Sequence, residues 1–495
     1  MGRGLAQDHL HTWSEGHERA CDITDRPLNV IRLPIDCLEC LAGSFEGVQC
    51  ECFEQALSGA ESVEEGRPAN PCGIRDHGER RVRTKCELSG CSVQHEGGFD
   101  RHGQNLTRMF KSAYGAGMSS PSRQHFPDRL RAVALLGIVL VNSPFLGISA
   151  SGYTAASIEG PLNTATAFAV MVLLQSKFYL LFSFLFGYSS QFILRDNGSR
   201  DRRRFRRRLA ALGLLGLLHA TFFFVGDILM TYAALGLGLL LLNARSARVV
   251  TSWAAVAVVS SIILVVGSVI LIVSDPSLAE GDASITALDG ALEAGTFIEA
   301  ALARLSALPS VLVFTLLLQG TMAFGAFCLG LLAGRGALLA DPEAGVSRWR
   351  AWALVGISIG APLQVVAATI QIKGVHSGDA GLATIGTLIG FGSAPMLTLG
   401  YLGLTGLLLA RYANFLRPLE QSGRASLSIY IGESVALSLI FCGYGLELFG
   451  AFGSLGVLLV GVAVWVGLAF AASGWLRRFR QGPLEALVGR WASTH

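Results

Sequence analysis

An arginine-rich loop between long apolar runs constrains this sequence more than any other feature. Residues 195–208 include eight arginines, and apolar runs of considerable length lie on both sides of them. A helix needs about 20 apolar residues to cross the ~30 Å hydrocarbon core of a bilayer. Because basic loops remain in the cytoplasm, this loop also indicates which side of a membrane it faces. The sequence therefore predicts a membrane protein that can be oriented from one loop.

The composition agrees with a membrane protein. Only 15% of the 495 residues are charged and 51% are hydrophobic, whereas about 25% of the residues in a soluble domain are charged. The apolar runs predict an all-α, polytopic integral membrane protein with about ten transmembrane helices in one bundle. The predicted spans are Leu130–Ile148, Val172–Leu194, Leu209–Val225, Ile228–Leu242, Val249–Val273, Val311–Leu332, Ala351–Ile372, Ile385–Leu409, Ser426–Leu448 and Leu455–Leu476.

Placing the 195–208 loop in the cytoplasm assigns every other loop to one side. Of the 26 Lys and Arg residues after residue 117, 23 then fall on the cytoplasmic side, as the positive-inside rule requires. The exceptions are Lys177, Arg304 and Lys373, and the longest outer loop, Ser274–Ser310, is acidic. We therefore expect a multi-pass protein of the bacterial plasma membrane with both termini in the cytoplasm.

The first 117 residues differ from the remainder of the chain. They contain eight of the ten cysteines but no apolar run long enough to span a membrane. Structural zinc sites pair two close-set ligand pairs at regular spacing, and the irregular set Cys37, Cys40, Cys50 and Cys52 does not favour one. We expect no metal site. We interpret residues 1–117 as a disordered extension or as sequence upstream of a true start at Met118, and residues 118–495 as the membrane domain.

Four sequence motifs resemble those of a known family, the YeiB-like bacterial membrane proteins, which carry a domain of unknown function numbered 418. The resemblance covers roughly residues 124–491 and includes a family-like C-terminal part at about 310–491. The chain departs from the family pattern at Ala132, Ile429 and Glu433. The motifs are KFYLLFSFLFG (Lys177–Gly187), GLLHATFFFVGDILMTYA (Gly216–Ala233), GRASLSIYIGES (Gly423–Ser434) and RRFRQGPLEALVGRW (Arg477–Trp491).

This resemblance carries an expectation about activity. The family is distantly similar to the transmembrane acyltransferases, which move an acyl group from a cytosolic donor to an acceptor on the far side. The resemblance therefore implies acyl transfer to an extracytoplasmic acceptor, with acyl-CoA as a candidate co-substrate. A shared fold does not by itself establish a function.

Five polar residues within the predicted spans are candidates for catalysis, because such groups are costly in a membrane. They are His219, Asp227, Lys177, Asn142 and Glu433. At ~1.5 Å per residue, His219 lies near the midplane and Glu433 lies about 10 Å from the cytoplasmic side. Histidine suits acid–base chemistry near neutral pH. We expect His219, Asn142, Lys177 and Asp227 to line one polar cavity that opens to the outside.

Each of these residues also has a structural explanation. His219 could form a hydrogen bond to a neighbouring helix, Asp227 could cap the helix that follows it, and Lys177 could extend its ammonium group to the membrane surface. His219 and Asp227 are eight residues apart and are predicted to lie about two turns apart on one face of one helix. At that spacing the two side chains are not expected to touch.

The basic residues near the cytoplasmic side give two further hypotheses. Arg129, Arg131 and Arg424 are candidates for binding a phosphate-bearing cytosolic donor, although the positive-inside rule already explains their position. The Arg200–Arg208 segment is interpreted as an anchor to anionic lipid rather than as a nucleic-acid surface.

Three classes of function remain open. The first is a membrane acyltransferase, and the second is a transporter or permease for a small polar solute. A transporter usually has two related halves, and no convincing internal repeat is present, which favours the enzyme slightly. The third is an assembly factor without chemistry of its own. The spans contain no phosphate-binding loop, serine-nucleophile elbow or zinc motif, which disfavours an ATPase, a serine hydrolase or a metalloprotease.

Overall fold

The computed structural model describes residues 125–195, 198–279 and 283–493, together with four short segments before residue 100. The chain divides into two compact units, Met1–Pro121 and Ser122–His495.

In the first unit, the described segments form a four-stranded antiparallel sheet in which consecutive strands are neighbours. The strands are β1 Val48–Cys50, β2 Cys72–Asp76, β3 Arg81–Glu87 and β4 Gly90–Ser92. The register pairs Gln49 with Arg75, and Ile74 with Val82. The Cys37, Cys40 and Cys52 positions weighed as zinc ligands lie outside the described residues. The interpretation of residues 1–117 stays a prediction.

The described part of the second unit is helical, which confirms the predicted helical character of the membrane domain. The helices are α1 His125–Gly147, α2 Pro161–Leu173, α3 Lys177–Ile193, α4 Ser199–Phe222, α5 Leu229–Leu242, α6 Ala247–Ser274, α7 Ala283–Ala294, α8 Phe297–Phe314, α9 Thr321–Arg335, α10 Val346–Ser377, α11 Ala380–Arg411, α12 Glu420–Arg424, α13 Ser426–Phe441, α14 Ser454–Arg478 and α15 Pro483–Ser493. A π-helical turn, Thr315–Gly320, joins α8 to α9.

Seven helical segments in the described residues are long and apolar enough to cross a membrane, and the bent pair of Arg417–Arg424 and Ser426–Phe441 raises this number to eight. The predicted count of ten is therefore not confirmed, although each predicted span overlaps a helix. The seven segments are His125–Gly147, Pro161–Ile193, Ala247–Ser274, Phe297–Arg335, Glu343–Ser377, Ala380–Arg411 and Ser454–Arg478.

The difference in count comes mainly from α4 and α5. The apolar part of α4 begins at Leu209 and ends at Phe222, and α5 has 14 residues. At 1.5 Å per residue each arm is about 21 Å long, which is shorter than the ~30 Å core of a bilayer. The two arms form a helical hairpin, called the α4–α5 hairpin below, and its tip carries His219 and Asp227.

Apolar side chains cover much of the outer surface of the long helices. Ile263 on α6 and Phe470 on α14 are 64% and 76% exposed. Such extensive apolar exposure is unfavourable in water and indicates contact with the lipid bilayer. This pattern supports a multi-pass membrane protein.

Glycine brings helices α10 and α11 into close contact. An added Cβ at Gly356 or Gly403 would collide with the backbone of the opposite helix, at Gly400 and Ala353 respectively. Small residues at such positions let helix backbones approach closely in membranes. The same two helices also carry a buried polar group, which is described below.

Candidate functional site

The tip of the α4–α5 hairpin brings His219 and Asp227 into direct contact. The Nδ1 atom of His219 lies 2.7 Å from Oδ2 of Asp227, and both side chains are 1% exposed. The prediction that these residues cannot touch is wrong. Helix α4 ends at Phe222 instead of continuing to Asp227, and the chain reverses before α5 begins at Leu229. The reversal replaces the expected two-turn separation with a hydrogen bond.

Asp227 also caps the helix that follows it. Its Oδ1 atom accepts a hydrogen bond from the backbone N–H of Met230 at 3.0 Å, as is typical of a carboxylate at a helix start. Gly216 on α4 makes room for this carboxylate, since an added Cβ there would lie 2.6 Å from Oδ1. The capping role and the contact with His219 are therefore compatible, because each uses a different oxygen.

Tyr430 on α13 is a third member of this group that the sequence analysis did not identify. Its hydroxyl donates to Oδ2 of Asp227 at 3.4 Å and accepts from the backbone N–H of Ile228 at 3.4 Å. Its ring centroid lies 5.2 Å from that of His219. Tyr430 belongs to the Gly423–Ser434 motif and precedes Glu433 by one helical turn, which is the signal that could have found it.

Two polar groups at this site are buried without a partner. Among the described residues, Nε2 of His219 and both carboxyl oxygens of Glu433 make no hydrogen bond. Each residue is 2% exposed. A buried polar group without a partner usually costs about 1–3 kcal/mol, so such groups are often functional. In the neutral tautomer that donates from Nδ1 to this carboxylate, Nε2 has the free lone pair that can accept a proton.

Lys177 lies in a different polar centre. It is 1% exposed, and its Nζ donates to the carbonyl oxygen of Met171 at 2.7 Å and to Oε1 of Gln364 at 2.6 Å. Gln364 in turn donates to the carbonyl oxygen of Gly390 and to Oγ of Ser393. The buried ammonium group does not extend to the membrane surface, and its hydrogen bonds lie at helices α2 and α10 rather than at the His219 site.

Asn142 lies on α1, where its side chain is partly buried. Within the described residues, no hydrogen bond connects it to His219, Lys177 or Asp227. The structure thus brings together His219 and Asp227, with Glu433 nearby on the helix of Tyr430. It does not join Asn142 and Lys177 to them by hydrogen bonds.

The three arginines considered for donor binding lie near one end of α1, but two of them are already paired. Arg129 donates to Oε2 of Glu420 at 3.3 Å. Arg131 donates to Oδ1 of Asp128 at 2.6 Å and also contacts Ser189.

Arg424, the third, donates to the carbonyl oxygen of Arg480 at 3.1 Å, and its Nε is buried without a partner in the described residues. Gly423 lets the short helix α12 approach the backbone of Asp128 closely. This contact explains why residues near 128 and 424 meet.

Glu485 on the C-terminal helix α15 connects that helix to the start of α13. Its two oxygens accept from the backbone N–H of Leu427 and from the hydroxyl of Ser428, both at 2.6 Å. These bonds cap the start of α13, the helix that carries Tyr430 and Glu433. The charged end of the unit therefore positions the helix that lines the His219 site.

Arg304 on α8 fixes the other end of α4. It is 1% exposed, and its guanidinium group donates to the carbonyl oxygen of Phe222 at 3.0 Å and to the hydroxyl of Tyr444 at 3.1 Å. A cation at a helix C-terminus satisfies free carbonyl groups and interacts favourably with the helix dipole. Arg304 thus holds the hairpin tip against α8 and the segment after α13.

Comparison with known proteins finds a family model and relatives that this chain matches. Residues 333–494 match the model of a family described as "Protein of unknown function (DUF418)". The uncharacterized protein YxaH of Bacillus subtilis (strain 168) is 28% identical over 395 residues, which cover 74% of this chain and 92% of that protein. The uncharacterized protein YeiB of Escherichia coli (strain K12) is 29% identical over 375 residues, which cover 73% of this chain and 94% of that protein.

Proposed function

Because the chain is a YeiB-like member of the DUF418 family, whose activity is open, we propose a function from the His219 site. The protein is a polytopic membrane enzyme that transfers an acyl group from a cytosolic donor to an extracytoplasmic acceptor. His219 is its general base. The resemblance found in the four sequence motifs is confirmed by these matches, and the acyl-transfer activity is the proposal.

One observation carries the proposal. Nδ1 of His219 is held by Asp227 at 2.7 Å while Nε2 is buried and has no partner among the described residues. A carboxylate that orients a histidine and stabilises its protonated form is the arrangement used in acyl-transfer chemistry on many unrelated folds. A purely structural histidine in a membrane would be expected to use both ring nitrogens.

The chemistry needs one proton to move twice. Nε2 of His219 takes the proton from the hydroxyl or amino group of the acceptor, and the freed electron pair attacks the carbonyl carbon of an acyl thioester such as acyl-CoA. When the thiolate leaves, the protonated imidazole returns the proton to sulfur. Asp227 stabilises the imidazolium between these steps, and the hydroxyl of Tyr430 helps to hold Asp227 in place.

The position of the site agrees with a reaction across the membrane. We propose that the α4–α5 hairpin enters the membrane from the arginine-rich side and turns in its outer half, because its arms reach only about 21 Å into the ~30 Å core and Arg304, from the predicted outer loop, donates to the carbonyl oxygen of Phe222. A hairpin that enters and leaves on one side replaces two full spans without changing the side of any other loop. Eight spans and one hairpin therefore keep both termini in the cytoplasm, as ten spans would.

A transporter is the second candidate, and Lys177 is the observation that favours it. Its buried ammonium group is hydrogen-bonded only to neutral oxygens of Met171 and Gln364 in the described residues. An ionisable group in a membrane interior often marks a substrate or ion pathway. A solute that carries a negative charge would complete such a site.

Acyl transfer is tested with the purified full-length protein in lipid nanodiscs. The protein is incubated with acyl-CoA donors and a panel of amino and hydroxyl acceptors, and thiol release and product formation are measured. His219→Gln is expected to lower the rate by roughly 10²–10⁴-fold, since glutamine cannot carry a proton in this way. His376→Gln, at an exposed histidine on α10, is the matched control.

Full activity of His219→Gln would show that the histidine is only a structural hydrogen-bonding group. The transporter would then be the better-supported of the two proposed functions. It is tested by uptake of anionic solutes into vesicles that contain the unmodified protein or Lys177→Met.

A further inference from the structure

Arg208 is a buried basic group that the proposed chemistry does not use. It lies on α4 where the arginine-rich segment meets the apolar part of the helix. Its side chain is partly buried, and its Nε atom is fully buried and has no hydrogen-bond partner among the described residues. An arginine presents its donors in a planar fork that matches carboxylate and phosphate groups, so an unused, buried Nε indicates a position suited to an anion.

The neighbours of Arg208 increase the local positive charge. Burial, and then the guanidinium groups of Arg131 and Arg204, lower the pKa of Arg208 to about 10, while Glu485 acts in the opposite direction. Arg204 lies one helical turn before Arg208 on α4, and like charges at that spacing repel each other.

Two carboxylates near these arginines already have hydrogen-bond partners. Both oxygens of Glu485 accept hydrogen bonds at the start of α13, from Leu427 and Ser428. Asp128 pairs with Arg131 at 2.6 Å. Arg131, Arg204 and Arg208, called the Arg208 cluster below, carry three positive charges, and Asp128 and Glu485 supply two negative charges beside them.

We propose that the Arg208 cluster binds a phosphate group. A phosphate oxyanion accepts two parallel hydrogen bonds from one guanidinium group and reduces the repulsion between several of them. The site shares Arg131 with the donor-binding set predicted from the sequence and differs from that set in Arg204 and Arg208, which replace Arg129 and Arg424. That the phosphate belongs to the acyl donor rests on the proposed function, whereas the binding itself does not.

Two sources supply the same chemistry. The first is the nucleotide part of a soluble donor, and the second is the headgroup of an anionic lipid. Arg203 and Arg206 lie on the same helix but are exposed. They therefore provide a control that distinguishes binding at the Arg208 cluster from general electrostatic attraction of an anion to α4. Their substitution removes the same charge without altering the Arg208 cluster.

The test compares Arg208→Gln with Arg206→Gln in the full-length protein. Binding of adenosine 3′,5′-bisphosphate, which carries phosphates but no acyl group, is measured in nanodiscs of neutral lipid. Retention of phosphatidylglycerol is measured by native mass spectrometry of protein from mixed-lipid nanodiscs. Arg208→Gln is expected to weaken the binding of one of these probes roughly tenfold, and Arg206→Gln to change it by less than about twofold.

If Arg208→Gln alone loses nucleotide binding, the Arg208 cluster binds the phosphate of a soluble ligand. If Arg208→Gln alone loses lipid retention, the cluster binds the phosphate of a lipid headgroup. Equal effects of both variants, or no effect of Arg208→Gln on either probe, would overturn the proposal. If Arg208→Gln does not fold, Arg208→Lys and competition of pyrophosphate with both probes on the unmodified protein replace it. Pyrophosphate that displaces neither probe would then overturn the proposal. Because no probe carries an acyl group, a failure of acyl transfer leaves this result unaffected.

Discussion

Asp227 connects His219 to the following helix through its two carboxylate oxygens. Oδ2 lies 2.7 Å from Nδ1 of His219, and Oδ1 accepts the backbone N–H of Met230 at 3.0 Å. The carboxylate that orients the histidine is therefore itself fixed by the backbone of α5. A change in the hairpin turn would alter both contacts together, so the geometry of the site depends on the fold of the hairpin tip.

Tyr430→Phe is expected to lower acyl-transfer activity less than His219→Gln does. The substitution removes the hydroxyl that donates to Asp227 at 3.4 Å but keeps the ring beside His219. One neutral hydrogen bond contributes about 0.5–1.5 kcal/mol, so the rate should fall by about twofold to about tenfold. The measurement is the rate of thiol release.

Tyr401→Phe is the control for this prediction, since Tyr401 donates to the carbonyl oxygen of Leu173 and does not contact the His219 site. A loss in Tyr430→Phe as large as that in His219→Gln would contradict the supporting role of Tyr430. It would instead place the phenol at the reacting atoms.

The sequence was sufficient to predict the helical membrane domain but not the contacts within the site. Apolar length and basic loops are properties of single segments and can be read locally. The contact between His219 and Asp227 depends on where α4 ends, and Gly226 and Asp227 mark a turn without showing how far before them the helix stops. Tyr430 is about 200 residues further along the chain, so its motif and its spacing from Glu433 could mark it as a candidate, but its proximity to Asp227 required the tertiary fold.

The same limit applies to Lys177. Its position near the end of a predicted span favoured extension to the membrane surface. Its actual partner, Gln364, is 187 residues away in sequence and lies on α10. A break at Ser176, which has a φ of 68°, separates α2 from α3, and the polar pair Gln175 and Ser176 does not show in which direction the lysine will point.

Lys177→Met is expected to retain acyl-transfer activity within about twofold, because the hydrogen bonds of Lys177 belong to a centre distinct from His219. The protein should lose some thermal stability, since Met171 and Gln364 each lose the donor that their oxygens accept from, at a cost of about 1–3 kcal/mol per group. Activity and melting temperature in detergent are measured beside Lys373→Met, where the lysine is exposed. A loss of activity equal to that of His219→Gln would show that both residues act in one site.

The orientation can be tested with single cysteines in a cysteine-free version of the protein. Ser277 and Ser347 are exposed and lie in segments predicted to face opposite sides. In intact cells a membrane-impermeant thiol reagent should label Ser277→Cys, and it should label Ser347→Cys only after permeabilisation. If the reagent labels Ser347→Cys but not Ser277→Cys in intact cells, the protein has the opposite orientation to the one predicted.

The depth of the α4–α5 hairpin gives a separate prediction. If the hairpin turns within the membrane, Val225→Cys at its tip should react with an impermeant reagent from neither side, because the arms are about 21 Å long. A small membrane-permeant maleimide added after solubilisation checks that the introduced cysteine is present. Rapid labelling of Val225→Cys in intact cells would show instead that both arms cross the membrane fully, as the sequence predicts.

Gly216→Ala is expected to damage the site without removing any functional group. The added Cβ would lie 2.6 Å from Oδ1 of Asp227 and 2.7 Å from the backbone nitrogen of Met230. Both atoms belong to the cap of α5, so neither can move without weakening the hydrogen bond between them. Overpacking of this kind typically costs about 1–3 kcal/mol, and the displaced carboxylate would also leave His219 less well oriented.

Gly213→Ala on the same helix is the matched control for this substitution. An added Cβ there would meet only the Cβ of Ala233, at an ordinary contact distance of 3.4 Å, and alanine also favours the helix by up to about 1 kcal/mol. The melting temperature in detergent should therefore fall for Gly216→Ala and stay equal or rise for Gly213→Ala, and acyl-transfer activity should fall only in the former. Equal stability and activity of the two variants would mean that the carboxylate of Asp227 does not sit against α4, and the orientation of His219 by Asp227 would then have to be abandoned.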